Sequence, residues 1–274
     1  MKRFFANPLG VFGLVLVVAV VSAAVLAPWI APYDPVALNV MNRLQPPSVE
    51  HWLGTDQLGR DIFSRVLYGG QVALQVAGIS VTAALFIGTL LGMIAGLGPR
   101  WLDGLIVLLF DTVRSFPTVV FALAVVAAVG PSLATVVGVV IVTAMPIFGR
   151  IVRTQTASLR QREFILAERS LGASTGYIMV HHVLPNVLGP VFILAAMEIP
   201  VVIFIEAGLS FLGLGIRPPT PSWGTILNDG YSFIRTSPWP VIAGGIPLVI
   251  TTLGFTFLGE ALRDTFDPKL QREL

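Results

Sequence analysis

Residues 72–97 read VALQVAGISVTAALFIGTLLGMIAGL, and the run ends at Gly98-Pro99-Arg100. None of these 26 residues carries a charge. A helix rises about 1.5 Å per residue and the hydrocarbon core of a bilayer is about 30 Å thick, so roughly 20 apolar residues cross it. The stretch therefore reads as a membrane-spanning helix. Within it Gly88, Gly92 and Gly96 recur at four-residue steps, on one helical face. In lipid, helices gain nothing by hiding leucine from water, and small residues that let two backbones approach take over that role. The glycine face predicts tight packing against another helix.

The same length test finds five more spans, at residues 9–30, 105–129, 133–147, 187–212 and 241–258. The third and fourth are separated only by Gly130-Pro131-Ser132, and Pro117, Pro146, Pro200 and Pro247 border or interrupt spans. Such prolines free a carbonyl and often kink a transmembrane helix. The first span follows Met1-Lys2-Arg3 and resembles a secretory leader at both ends. Its apolar run exceeds the core of about 7–15 residues that leaders use, so it is read as a retained anchor. Composition agrees with a membrane protein. Hydrophobic residues make up 55% of the 274 and charged ones 12%, about half the share in a soluble domain. The mean hydropathy is +0.84.

The expected fold is all-α and integral to the membrane, with six transmembrane helices. Residues 1–31 form the first of them, 32–70 an extracytoplasmic segment, 71–262 a five-helix core and 263–274 a tail. Within 54–70 the spacing of Asp61 and Arg65 predicts a short interfacial helix with an i,i+4 ion pair. Cytoplasmic loops are enriched in Lys and Arg. With the N-terminus inside, 11 such residues lie on the cytoplasmic side and 5 opposite, which puts both termini in the cytoplasm. Arg114 alone falls within a span.

Ionisable groups at membrane depth are costly and face a cavity or a partner. Asp111 and Arg114 are three apart, the spacing of a structural ion pair near the cytoplasmic end. Glu198 and Glu206 are eight apart and near one face, with Ser210 one turn beyond. They are expected to line the translocation path or its gate, or to pair with another subunit.

Some chemistry is excluded. With no cysteine there is no disulfide and no thiolate metal site. The net charge of +2 and arginines scattered among apolar spans argue against nucleic-acid binding. The two lysines, Lys2 and Lys269, follow no glycine-rich run, so the chain has no phosphate-gripping loop. The three histidines, His51, His181 and His182, lie outside the spans and form no His-Glu-x-x-His pair, so an intramembrane metalloprotease is disfavoured. An ion-coupled carrier with Glu198 as relay remains an alternative.

Between the fourth and fifth spans residues 150–185 read RIVRTQTASLRQREFILAERSLGASTGYIMVHHVLP. Ile165, Leu166 and Leu171 among Arg160, Arg162, Glu163, Glu168 and Arg169 predict a short amphipathic helix that Gly172 ends. A second short segment is expected to end at Leu184-Pro185. Such a helix lies on a lipid surface or docks its apolar ridge in a groove of a soluble partner.

The stretch resembles the EAA loop of binding-protein-dependent ABC importer permeases: Glu-Ala-Ala, three residues, Gly, nine residues, Ile-x-Leu-Pro. With Gly172 as the glycine, Leu184-Pro185 falls on the Leu-Pro. Ala167 agrees, while Leu166, Glu168 and His182 replace the Glu, the second Ala and the Ile. Three further stretches resemble the same family. Residues 51–61, HWLGTDQLGRD, resemble its GTDxxGRD signature. LSFLGLG at 209–215 with PPTPSWG at 218–224 resembles the loop before its last span, and Leu262-Arg263-Asp264 with Asp267-Pro268 resembles its C-terminal LRDxxDP.

The resemblance implies a type I ABC importer permease of the dipeptide, oligopeptide and nickel branch, in a prokaryotic cell membrane. It implies an ATPase-docking loop at Leu166, Ala167, Glu168, Leu171, Gly172, Ala173, His182, Leu184 and Pro185. The chain itself would be no enzyme and bind no cofactor or metal, with ATP and Mg held by partner subunits. Those partners would be a second homologous permease, two ATP-binding subunits and an extracytoplasmic substrate-binding protein. Di- or oligopeptides are the first expected cargo and nickel or a metal chelate the second.

Overall fold

A computed structural model describes Phe5 and residues 7–266. Lys2, Arg3, Lys269, Arg272 and the Asp267-Pro268 match lie outside the described residues. Nine helices of eight residues or more are described: α1 (Pro8–Val25), α2 (Ile62–Leu97), α3 (Arg100–Arg114), α4 (Thr118–Val129), α5 (Leu133–Leu159), α6 (Glu163–Ser170), α7 (Leu184–Phe211), α8 (Trp223–Tyr231) and α9 (Trp239–Phe266).

The core is the α2–α5 pair, and the glycine stripe makes it. A Cβ on Gly88 would stand 2.6 Å from the Met145 carbonyl oxygen, one on Gly92 2.5 Å from that of Gly149, and one on Gly96 2.6 Å from Thr156 Cβ. The contacts advance together along both chains, so α2 and α5 run parallel. Two parallel consecutive spans require the chain to recross between them. Extrapolated along that register, Leu133 lies roughly 20 residues before Leu97 in height, a return of about 30 Å or one bilayer core.

The return is made by α3 and α4, which bend by 86° at the break between them. The third span, expected to be one helix over 105–129, is thus a broken one. Pro117 explains the break: it carries no N–H, and it drives Phe116 before it away from helical geometry. Helix α3 buries Ile106 and Phe110 and is clamped to α5 by two ion pairs, Asp103 with Arg153 and Asp111 with Arg150. Among the described residues, five helices long and apolar enough to span and this bent pair give six candidate crossings.

Helices α1 and α9 pack antiparallel. A Cβ on Gly13 would lie 2.8 Å or less from Gly254 and Leu258 backbone atoms, and Gly254 faces Leu16 and Val17. The start of α1 and the end of α9 therefore lie on one side. Helix α8 wedges against the other end of the bundle. It opens with a capping box of Ser222 and Thr225, its Gly224 abuts the Ala207 carbonyl, and the Trp223 indole N–H donates to the Val66 carbonyl at 2.9 Å.

Three boundaries differ from expectation. Residues 62–70 form no separate interfacial helix; they are the first turns of α2, because Gly69 and Gly70 are held helical by packing on Trp223. Helix α5 runs past residue 147 to Leu159, since Arg150 and Arg153 find carboxylate partners on α3. Finally, the segment before Leu184-Pro185 does not stop there. A turn at Thr175–Ile178 and a π-helical stretch at Met179–Val183 lead directly into α7, whose first turn accepts Pro185.

The stripe carries a prediction with its own control. Gly92→Leu forces α2 and α5 apart and is expected to cost about 1–3 kcal/mol, the range for overpacking. Gly78 lies on the same helix, and a Cβ added there would meet nothing within 4 Å, so Gly78→Leu is expected to melt like the parent. Thermal unfolding of the purified variants in detergent tests this; equal melting temperatures would remove the stripe's role.

Candidate functional site

Helix α6 sits at the side of the bundle where α5 ends. Glu163 in its first turn and Arg169 in its last complement the helix dipole. The backbone turn at 160–162 joins it to α5 without a flexible linker. Of the three apolar residues read as one ridge, Ile165 is buried, packed in the same core as Ile178 and Val183, whereas Leu166 and Leu171 point outward. Leu171 is 85% exposed. Phe164, Tyr177 and Val180 are exposed as well, so several apolar side chains are left uncovered on and around a helix that bears Arg162, Glu163 and Arg169.

Gly172 ends the helix by conformation. Its φ is +87°, and a Cβ there would meet nothing within 4 Å. The Gly172 N–H donates to the Arg169 carbonyl and the Ala173 N–H to that of Glu168, both at 3.0 Å, which is a Schellman cap. His182 ties α6 to the root of α7. Its Nε2 is 3.4 Å from a Glu168 carboxylate oxygen, its ring lies 6.1 Å from that of Phe164, and its carbonyl accepts from the Asn186 amide at 2.6 Å. His181 stacks on Tyr177 at 4.2 Å. The structure thus joins Glu168, Gly172, Ala173, His182, Leu184 and Pro185 in one braced unit, with Leu166, Ala167 and Leu171 on its exposed side.

The groups at membrane depth are arranged otherwise than their spacing predicts. Asp111 pairs with Arg150 rather than with Arg114. Arg150 reaches it across the α3–α5 contact, while Arg114 is the last residue of α3. Glu206 is fully buried. Ser210 Oγ donates to its Oε1 at 2.7 Å and accepts from the Ile216 N–H at 3.2 Å, and a Cβ on Gly224 of α8 would stand 2.6 Å from Ser210 Cβ. Glu206 and Ser210 thereby join α7, the 213–222 loop and α8 in packed protein.

Sequence reasoning missed a second cluster at the far end of the bundle. Asp61 pairs with His51 at 2.9 Å and caps α2 through Ser64, not with Arg65. Asp56 lies 2.6 Å from Arg60 and 3.4 Å from Arg65, and both arginines reach Asp229 of α8, at 2.9 and 3.4 Å. Gly54 and Gly59 turn with φ of +79° and +73°, and a Cβ on Gly59 would collide with the Asn39 carbonyl. The GTDxxGRD stretch is therefore a folded ionic knot that pins the 32–61 segment to α2 and α8. The sequence marks the stretch by its GTDxxGRD resemblance and by four charges, Asp56, Arg60, Asp61 and Arg65, close together in a chain otherwise poor in them, but neither signal gives the pairing.

Comparison with known proteins agrees with this architecture. Among solved structures, the methionine ABC transporter MetNI in its inward-facing form has a TM-score of 0.59 at 19% identity, covering 74% of this chain and 97% of that one. An amino acid ABC transporter has a TM-score of 0.57 at 16% identity, covering 74% and 94%. These likenesses speak for the fold, that of type I ABC transporter permeases. The chain is 43% identical over 270 residues to the dipeptide transport system permease protein DppC of Alkalihalophilus pseudofirmus, covering 98% of this chain and 89% of that protein. It is 38% identical over 271 residues to the glutathione transport system permease protein GsiD of Pectobacterium atrosepticum, covering 98% and 90%. Residues 1–47 match the N-terminal TM domain of oligopeptide transport permease C. Residues 88–272 match the binding-protein-dependent transport system inner membrane component, and the chain belongs to that family.

Proposed function

We propose that the chain is the translocation subunit of an ATP-driven importer of di- and oligopeptides. It works beside a second, similar permease, two ATP-binding subunits that hold ATP and Mg, and an extracytoplasmic binding protein that delivers cargo. Both termini and α6 face the cytoplasm, in keeping with the arginines at that end. The observation that carries the reading is the exposure of Leu166, Leu171, Phe164, Tyr177 and Val180 on and around a short charged helix that ends at the Gly172 cap. Uncovered apolar side chains on a charged helix fit a groove on a soluble partner.

Motion would pass through α6 because it stands between the end of α5 and the segment that leads into α7. Closure of the ATPase pair displaces α6, which carries α5 through the 160–162 turn and α7 through the π-helical stretch. The glycine contacts make α2 follow α5 as one body, while α7 pivots at its joint with α8. Glu206 and Ser210 in that joint would act as part of the outer gate, and Glu198 would lie nearer the path. Peptide cargo is preferred over nickel chelates and over ion-coupled transport because the two relatives carry dipeptide and glutathione in their names.

Copurification from mild detergent, followed by an ATPase assay, tests the proposal. Recovery of a second permease and ATPase subunits, with activity raised by a peptide-loaded binding protein, is the expected result. A chain that purifies alone and transports in proteoliposomes on an ion gradient would overturn it.

A further inference from the structure

Beside α6, a cleft of about 460 Å³ opens between the ends of α2 and α5 and the start of α3. Gly98, Arg100, Asp103, Arg153, Arg160 and Gln161 line it. Asp103 is already engaged with Arg153 through both carboxylate oxygens. Arg100 and Arg160 have no carboxylate partner among the described residues, and the Arg160 guanidinium donates to the Gly98 carbonyl at 3.5 Å. The cleft therefore presents two unneutralised guanidinium groups, which suit the bidentate geometry of a phosphate.

The surroundings of the cleft indicate where such a phosphate comes from. Trp101, next to Arg100, is 71% exposed, the placement of an aromatic residue at a membrane–water interface. Leu105, Leu108 and Leu109 continue from it along the exposed side of α3. A headgroup seated between Arg100 and Arg160 would lay its acyl chains along this leucine face. Basic pockets between spanning helices are recognised sites for anionic headgroups. From this geometry we infer that the cleft binds the phosphate of an anionic phospholipid. Arg160 begins the turn into α6, so a bound lipid would brace the base of the proposed docking helix. The binding itself does not depend on that helix's role.

The test uses the full chain, delipidated in neutral detergent, with melting temperature read against added phosphatidylglycerol. Stabilisation is expected with phosphatidylglycerol and not with phosphatidylcholine or inorganic phosphate. In the Arg100→Gln/Arg160→Gln double variant, half-maximal stabilisation is expected to need at least about tenfold more lipid, the loss that follows when charged hydrogen bonds to the phosphate are removed. The lipid-free melting temperature should stay unchanged, because the Asp103–Arg153 clamp is left in place. Arg235→Gln, at an exposed position elsewhere, should respond as the parent does. An undiminished response in the double variant overturns the site. An equal loss in Arg235→Gln overturns it in favour of bulk charge, an equal response to phosphatidylcholine, whose phosphate is offset by its own choline cation, overturns the requirement for an anionic headgroup, and an equal response to inorganic phosphate overturns the lipid source.

Discussion

Gly172→Pro is expected to leave the chain inserted and monodisperse while uptake and cargo-stimulated ATPase activity of the assembled importer fall to background. Proline fixes φ at about −65°, whereas this position requires +87°. It also lacks the N–H that donates to the Arg169 carbonyl at 3.0 Å. The substitution therefore unseats the last turn of α6 and moves Leu171, the most exposed part of its apolar surface. Insertion is spared because nothing packs within 4 Å of a Cβ at Gly172, so no span leans on it. Gly172→Ala is the graded control. It keeps the N–H and meets no neighbour, but carries the left-handed penalty of roughly 1–2 kcal/mol, and is expected to retain measurable coupling. Reconstitution with the partner subunits in proteoliposomes reads both variants. Normal uptake by Gly172→Pro would remove α6 from the coupling route, and failure to insert would make the turn a folding element instead.

The parts of the molecule legible in its sequence are those that local composition decides. Apolar length sets the spans, and the Gly88–Gly92–Gly96 stripe marks the tightest interface because close backbone approach in lipid has a compositional signature. Hydropathy does not register where a helix ends once it leaves the membrane, so α2 begins and α5 ends well beyond their apolar windows. Helix α6 is legible as amphipathic, yet composition groups Ile165 with Leu166 while the fold turns them opposite ways. Adjacent residues on a helix diverge by about 100°, so they can only share a broad ridge, and burial chooses between them. Ion pairing is legible least. Asp111 and Asp61 each have an arginine at helical spacing, and each takes a partner from elsewhere, because tertiary contact brings charges closer than a shared helical face does.

The ionic knot at the opposite end gives the other large effect. Asp56 is 2% exposed, and its carboxylate accepts from the N–H groups of Leu58 and Arg60 while it faces both buried arginines. Asp56→Asn preserves the shape and can preserve those two backbone bonds, but it leaves Arg60 and Arg65 to share Asp229 alone. Breaking a buried pair in this way costs about 3–5 kcal/mol, since one charge stays uncompensated. Asp229→Asn should cost less, on the order of 1 kcal/mol, because its side chain is 28% exposed and water can replace much of what it offers. Thermal unfolding ranks the two variants, and equal or reversed effects would show that Asp56 is not the centre of the cluster. A further substitution separates charge from shape. Adding Arg65→Met to Asp56→Asn returns the cluster to neutrality and leaves the Arg60–Asp229 pair intact. The double variant is expected to melt above Asp56→Asn, with a coupling of roughly 1–3 kcal/mol. If it melts lower still, the knot is held by the packing of Arg65 against its surroundings, and the charges are secondary to the fit.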